Sequence, residues 1–216
     1  MILVVLAALF VTCLAVANII AVKLVSIGGL VVPAGVIAYP LTFLFTDVIT
    51  ELYGRSTSSR IVWVGFGSSI LMVVLVFGSR LLPPAPLWTD QPAYESILGM
   101  VPRITFASMI AYLISQHHDI FAFHFWRQKT KAKFLWLRNN ASTMVSQALD
   151  TGVFITIAFW GVVPTGILVN MLISQYIIKL VIAAADTPFC YLLVGLLKRK
   201  IKPLPVGAKG WSGERG

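Results

Sequence analysis

Charge is scarce in this chain. Only 12% of its 216 residues are Asp, Glu, Lys or Arg, about half the share of a soluble domain. With 58% hydrophobic residues and a mean hydropathy of +0.88, an ordinary water-soluble fold is excluded. Cysteine is almost absent. Cys13 and Cys190 lie far apart in apolar runs, with no CxxC or zinc-ligand spacing, so both read as small buried hydrophobes. No GxxxxGK[ST] loop is present, so the chain does not power itself with a P-loop. Neither HExxH nor GxSxG occurs, and no nucleophile or metal set points to an enzyme. No internal repeat is visible, and no stretch is left for a second large domain. Ala15-Val16-Ala17 resembles a cleavage site, but no Lys or Arg precedes it. Without a positive n-region the first apolar run reads as a retained helix rather than a signal peptide.

What is abundant is long apolar sequence. Six runs fit membrane spans: about Ile2 to Leu24, Val31 to Leu52, Arg60 to Leu82, Ile104 to Trp126, Asn140 to Val163 and Thr165 to Leu197. Each approaches or exceeds the roughly 20 residues that cross a bilayer. The predicted fold class is therefore all-α: a single six-helix transmembrane domain over residues 1–200, followed by a Gly-rich, disordered tail over 201–216. Gly28-Gly29 breaks the chain before the second span, and Pro188 is expected to kink or break the sixth. Between the third and fourth spans, Pro83 to Arg103 is long, proline-rich and carries Trp88 and Tyr94. It reads equally as a lid or as a stiff spacer.

The net charge of +9 does not signal nucleic acid, because the basic residues cluster beside the spans. The second–third loop holds Arg55 and Arg60, while Arg127, Lys129, Lys131, Lys133 and Arg138 fill the fourth–fifth loop. Lys198, Arg199, Lys200, Lys202, Lys209 and Arg215 lie in the tail. The other side has only Lys23, Arg80 and Arg103. The positive-inside rule then puts both termini in the cytoplasm. Trp63, Trp126, Trp136 and Trp160 fall near span ends, as an aromatic belt does.

Five acids interrupt the spans: Asp47, Glu51, Asp119, Asp150 and Asp186, with Lys179 the one cation at similar depth. A charge at the bilayer centre costs about 2.5–3.5 kcal/mol on insertion scales, so such groups face a cavity, a partner or a substrate path. Asp47 and Glu51 are four apart and share a helix face. Asp47 is the deeper of the two. Gln116 and Asp119 share a face of the fourth span. His117 and His118 cannot both join them, which weakens any metal site. Thr143, Ser146, Gln147 and Asp150 form a polar stripe on the fifth span, which opens with Asn139-Asn140. On the sixth, Asn170, Ser174, Gln175, Lys179 and Asp186 are polar. A buried lysine needs a counter-ion, and Asp150 and Asp186 are the candidates.

These residues fall in a recognisable pattern. The segment Tyr39 to Arg55, YPLTFLFTDVITELYGR, resembles the signature of the queuosine precursor transporters, or vitamin uptake transporter family. ANIIAVK (Ala17 to Lys23), LWLRNNASTMVSQALDT (Leu135 to Thr151) and DTPFCY (Asp186 to Tyr191) match as well, with Lys179 before the last. The resemblance runs from about Asn18 to Tyr191. It implies a six-helix prokaryotic membrane protein similar in fold to the substrate-binding subunits of energy-coupling-factor vitamin transporters, but working without their ATPase. It also implies import of 7-deazaguanine bases, the cyano or aminomethyl precursors of queuosine, with queuine in some members, for tRNA modification. Asn18, Asp47, Arg103, Gln116, Asp119, Asp150 and Lys179 are carried over as candidate functional positions.

The residues suit such a ligand. A carboxylate accepts the adjacent N–H groups of a guanine-like edge, and Asn or Gln complements its carbonyl and ring nitrogens. Tyr39, Phe43 or Phe45 offer faces for stacking. An aminomethyl base would add a positive charge that an acid-rich cavity favours. Asn18, Asp47, Gln116, Asn140, Gln147 and Asp150 are therefore expected at the substrate. Glu51, Arg103, Asp119, Lys179 and Asp186 are expected in gating or charge balance, with Lys179 set against Asp186 or Asp119. Replacing Asp47 or Asp150 with Ala is expected to abolish uptake. The expected setting is the inner (plasma) membrane, with a deazapurine substrate, lipid contacts, no cofactor, no metal and no nucleic acid; a homodimer stays open. The rival is a capture subunit that docks on a separate ATPase through Ala17-x-x-x-Ala21.

Overall fold

The computed structural model describes residues 1–129 and 135–198, with side chains described outside 119–143, 183–188, 191 and 198. Seven α-helices and one small hairpin occur among them. α1 (Ile2–Ile20) leads into β1 (Leu24–Ile27), β2 (Leu30–Pro33) and a 3₁₀ turn (Ala34–Ile37). α2 (Tyr39–Tyr53), α3 (Arg55–Leu81), the short α4 (Gln91–Leu98), α5 (Val101–Lys129), α6 (Leu135–Phe159) and α7 (Thr165–Lys198) follow. Five stretches among the described residues are long and apolar enough to cross a membrane, and Met144–Phe159 adds a shorter apolar helix. The chain is an all-α, multi-pass membrane protein.

Its outer surface agrees. Val4 and Leu9 on α1, Leu71, Val74 and Leu75 on α3, and Ile173, Ile177 and Val181 on α7 are exposed. In water such a surface would aggregate; in a bilayer it meets lipid.

Two apolar clusters hold the helices. One gathers Ile104, Ala107 and Ala111 of α5 with Phe154, Ile155, Ala158 and Phe159 of α6, and Leu168 and Met171 of α7. The other joins Leu6 and Phe10 of α1 to Val48 and Ile49 of α2, Ile61 of α3 and Val194 of α7. Small residues let helices approach. A Cβ on Gly65 would lie 2.8 Å from the Phe10 ring, so α3 meets α1 there.

The structure corrects the sequence reading at four places. The stretch Val31 to Leu52 is not one helix. Gly28 and Gly29 take φ of 58° and 84°, the pair of positive values that a two-residue primed turn requires. The chain therefore folds back as an antiparallel hairpin with Ile27 opposite Leu30. Asn170 of α7 clamps it: its Oδ1 accepts the Val31 N–H at 2.9 Å, and its Nδ2 donates to the Gly29 carbonyl at 3.2 Å.

Second, Arg55 and Arg60 do not sit in a loop. Gly54 alone (φ 85°) turns α2 into α3, and both arginines ride on α3. Third, the proline-rich connection contains α4. The Ser79 and Tyr94 hydroxyls, 2.6 Å apart, tie α4 to α3, and α5 starts at Val101 rather than Ile104. Fourth, α7 does not break at Pro188: it runs unbroken from Thr165 to Lys198, 34 residues in all, about 50 Å at 1.5 Å per residue. A membrane helix tolerates an internal proline where neighbouring groups re-satisfy the freed carbonyl. The tail 201–216 lies outside the described residues.

Candidate functional site

All six long helices contribute to one cavity of about 170 Å³. That exceeds the ~150 Å³ of a cavity that admits one benzene ring. Its charged feature is an ion pair. Lys179 of α7 donates from Nζ to Oδ2 of Asp150 on α6. The lysine side chain is 4% exposed and the carboxylate 24%. Tyr39, at the start of α2, places its ring 5.7 Å from the ammonium, within range of a cation–π contact.

Gln147 precedes Asp150 by three residues and so shares its face of α6. Its Oε1 is buried with no hydrogen-bond partner. A buried acceptor left unpaired costs about 1–3 kcal/mol, so this atom calls for a donor from water or ligand. The neighbouring helix α5 adds Ser108, Tyr112 and Gln116 to the lining, at four-residue intervals. Apolar walls come from Phe10, Phe43, Phe66 and Phe154. Phe66 meets Tyr112 edge to face at 5.2 Å, which fixes both rings.

The α2 threonine hydroxyls are satisfied within their own helix. Thr42 donates to the Tyr39 carbonyl at 2.8 Å, and Thr46 donates to the Phe43 carbonyl at 2.8 Å. Their hydrogens are thus committed, and what they offer the cavity is acceptor lone pairs and methyl groups. At the cavity edge, α5 and α6 are stitched by Ser115, a lining residue, which donates to the Ser146 carbonyl at 3.1 Å. His118 Nδ1 lies 3.1 Å from the Ser146 hydroxyl. His117 Nδ1 lies 2.7 Å from the Leu113 carbonyl of its own helix.

Of the residues singled out from sequence, the structure brings together Gln116, Gln147, Asp150 and Lys179. Lys179 takes as its counter-ion Asp150, one of the two acids expected for it. Asp47 and Glu51 are exposed on α2 and do not line the cavity. Asn18 is buried at 3% exposure, also away from it. Arg103 donates from Nε to the Ile157 carbonyl at 2.7 Å and from Nη2 to the Trp160 carbonyl at 2.6 Å. It caps the C-terminal end of α6, where carbonyls lack helical donors and a cation is favoured. The side chains of Asp119, Asn140 and Asp186 lie outside the described residues.

Tyr39 and Phe43, expected as stacking faces, line the cavity; Phe45 packs instead beside the α1–α2–α3–α7 cluster. Ser108, Tyr112 and Phe66 escaped the sequence reading. The first two were legible as a four-residue stripe that ends on Gln116.

A family model described as putative vitamin uptake transporter matches residues 33–193. The chain belongs to that family. A relative from Bacillus subtilis (strain 168), named probable queuosine precursor transporter, is 35% identical over 81% of this chain and 77% of its own. The Escherichia coli (strain K12) queuosine precursor transporter is 29% identical over 63% of this chain and 59% of its own. A Haemophilus influenzae protein named probable queuosine precursor transporter is 26% identical over 58% and 51%. No solved structure matches. The family match covers every helix that lines the cavity except α1, which supplies Phe10 and Leu14.

Proposed function

We propose that this chain imports a deazaguanine precursor of queuosine and binds it in the six-helix cavity. The observation that carries the reading is the Asp150–Lys179 pair on the wall of that cavity. A guanine-like edge presents a carbonyl oxygen beside two N–H groups. Lysine has three donors and a carboxylate about four acceptor sites. Lys179 donates to the carbonyl while Asp150 accepts the two N–H groups, and the ion pair itself stays made. The orphan Gln147 Oε1 takes a further ring N–H, and the aromatic walls hold the flat faces. The names of the relatives supply the ligand class.

The setting proposed is the plasma membrane of a prokaryote with both termini cytoplasmic, from the excess of Lys and Arg beside α2–α3, α5–α6 and the tail. Binding and release suffice; no covalent step is involved. The rival capture-subunit reading loses its cue. Ala17 and Ala21 are 2% and 1% exposed, and a Cβ on Gly35 would lie 2.8 Å from the Ala17 carbonyl oxygen and 3.1 Å from the Ala21 Cβ. The small-residue face of α1 is filled by the chain's own 3₁₀ turn.

Uptake of labelled cyano and aminomethyl deazaguanine into cells that lack their own importer tests the reading. Asp150→Ala is expected to abolish uptake at unchanged membrane level, with Asp47→Ala beside it to weigh the acid outside the cavity. Wild-type uptake by Asp150→Ala would refute the site. Transport by the purified chain in liposomes, with and without a pH gradient, excludes the ATPase-dependent rival and measures proton coupling.

A further inference from the structure

Acids in the spans led to the expectation of a cavity that welcomes a cationic base. The placement of the three described acids, Asp47, Glu51 and Asp150, argues the other way. Among the described residues lining the cavity, Asp150 and Lys179 are the charged ones, and they neutralise each other. Asp47 and Glu51 do not line it. The Tyr39 ring, a natural seat for a ligand ammonium, already faces Lys179 at 5.7 Å.

We propose that Lys179 is a specificity determinant: by occupying Asp150 and Tyr39 it makes the cavity select an uncharged deazapurine over one bearing an ammonium group. The inference rests on the deazapurine reading above and deepens it. A ligand ammonium brought near Asp150 comes equally near the Lys179 ammonium, so attraction and repulsion largely cancel. The loss of part of its hydration on entering the half-buried site then goes uncompensated. A neutral substituent of the same size meets no such penalty. The edge contacts are common to both ligands, so they do not contribute to the preference.

The test compares two isosteres that differ in charge alone, hydroxymethyl and aminomethyl deazaguanine, by calorimetric titration of the purified full chain near neutral pH. Wild type is expected to bind the hydroxymethyl base at least tenfold more tightly. Lys179→Gln leaves Asp150 uncompensated, and Gln116→Glu adds an acid while keeping the pair. In each, the ratio of the two affinities is expected to move at least tenfold toward the aminomethyl base. If Lys179→Gln does not fold, Gln116→Glu decides the outcome. Equal affinities in wild type, or a ratio unmoved in the folded variants, overturn the inference while leaving the substrate class standing. Binding of neither base overturns the substrate class and the inference together.

Discussion

Replacing Asp150 with Asn keeps the shape of the side chain but removes the anion that faces Lys179. The lysine side chain is 4% exposed, so the ammonium left behind cannot reach bulk water. Breaking a buried pair from one side costs about 3–5 kcal/mol, because the remaining charge stays buried. Lys179→Met should cost less, about 1–3 kcal/mol, since the Asp150 side chain keeps 24% of its exposure and cavity water can solvate it. The double variant Asp150→Asn/Lys179→Met strands no charge and should lie within about 2 kcal/mol of wild type. The double-mutant cycle should therefore show a coupling of at least about 2 kcal/mol, clear of the 0.3–0.5 kcal/mol scatter of independent sites. Reversible unfolding in mixed detergent micelles measures all four proteins, and uptake is assayed in parallel. Asp150→Asn should be the least stable of the four, and the double variant should recover stability without recovering transport. Additive losses, or a double variant as unstable as Asp150→Asn, would refute the pairing on which the site is built.

Gln147→Leu removes the unpartnered Oε1; stability should hold or rise by about 1 kcal/mol, while affinity for the base measured by titration should fall about tenfold. Gly35→Val would force a side chain against the Ala17 carbonyl oxygen, 2.8 Å from the position of its Cβ; overpacking of this kind costs about 1–3 kcal/mol and should lower the unfolding midpoint in detergent. Asn170→Ala deletes the bonds to Val31 and Gly29; hydrogen exchange in the hairpin Leu24–Pro33 should accelerate at least tenfold, while exchange at the α5–α6 interface stays unchanged.

Some of this protein is determined by local sequence alone. Runs of about twenty apolar residues must bury their backbone polar groups in helical bonds once in lipid, so the long helices and the membrane setting are legible without tertiary knowledge. The Gly28-Gly29 pair marks a break in the same way. Its hairpin went unread because a short Val-Val stretch before Pro33 extends a hydropathy window as well as a helix does. The interaction with Asn170 that holds the strand comes from 139 residues away, beyond any local pattern.

The site divides along the same line. That Asp150 and Lys179 need partners follows from the cost of isolated charge in a bilayer, and the face shared by Gln147 and Asp150 follows from helical spacing. Which acid takes Lys179, and which acids stay outside the cavity, depends on how α2, α6 and α7 rotate against one another. Asp47 and Asp150 are equally conspicuous in sequence. Only packing separates them, because burial of Val48 and Ile49 at 0% exposure fixes the rotation of α2 and leaves Asp47 exposed off the cavity. Composition and periodicity settle that charges lie within the membrane; the tertiary contacts of the helices settle which of them meet.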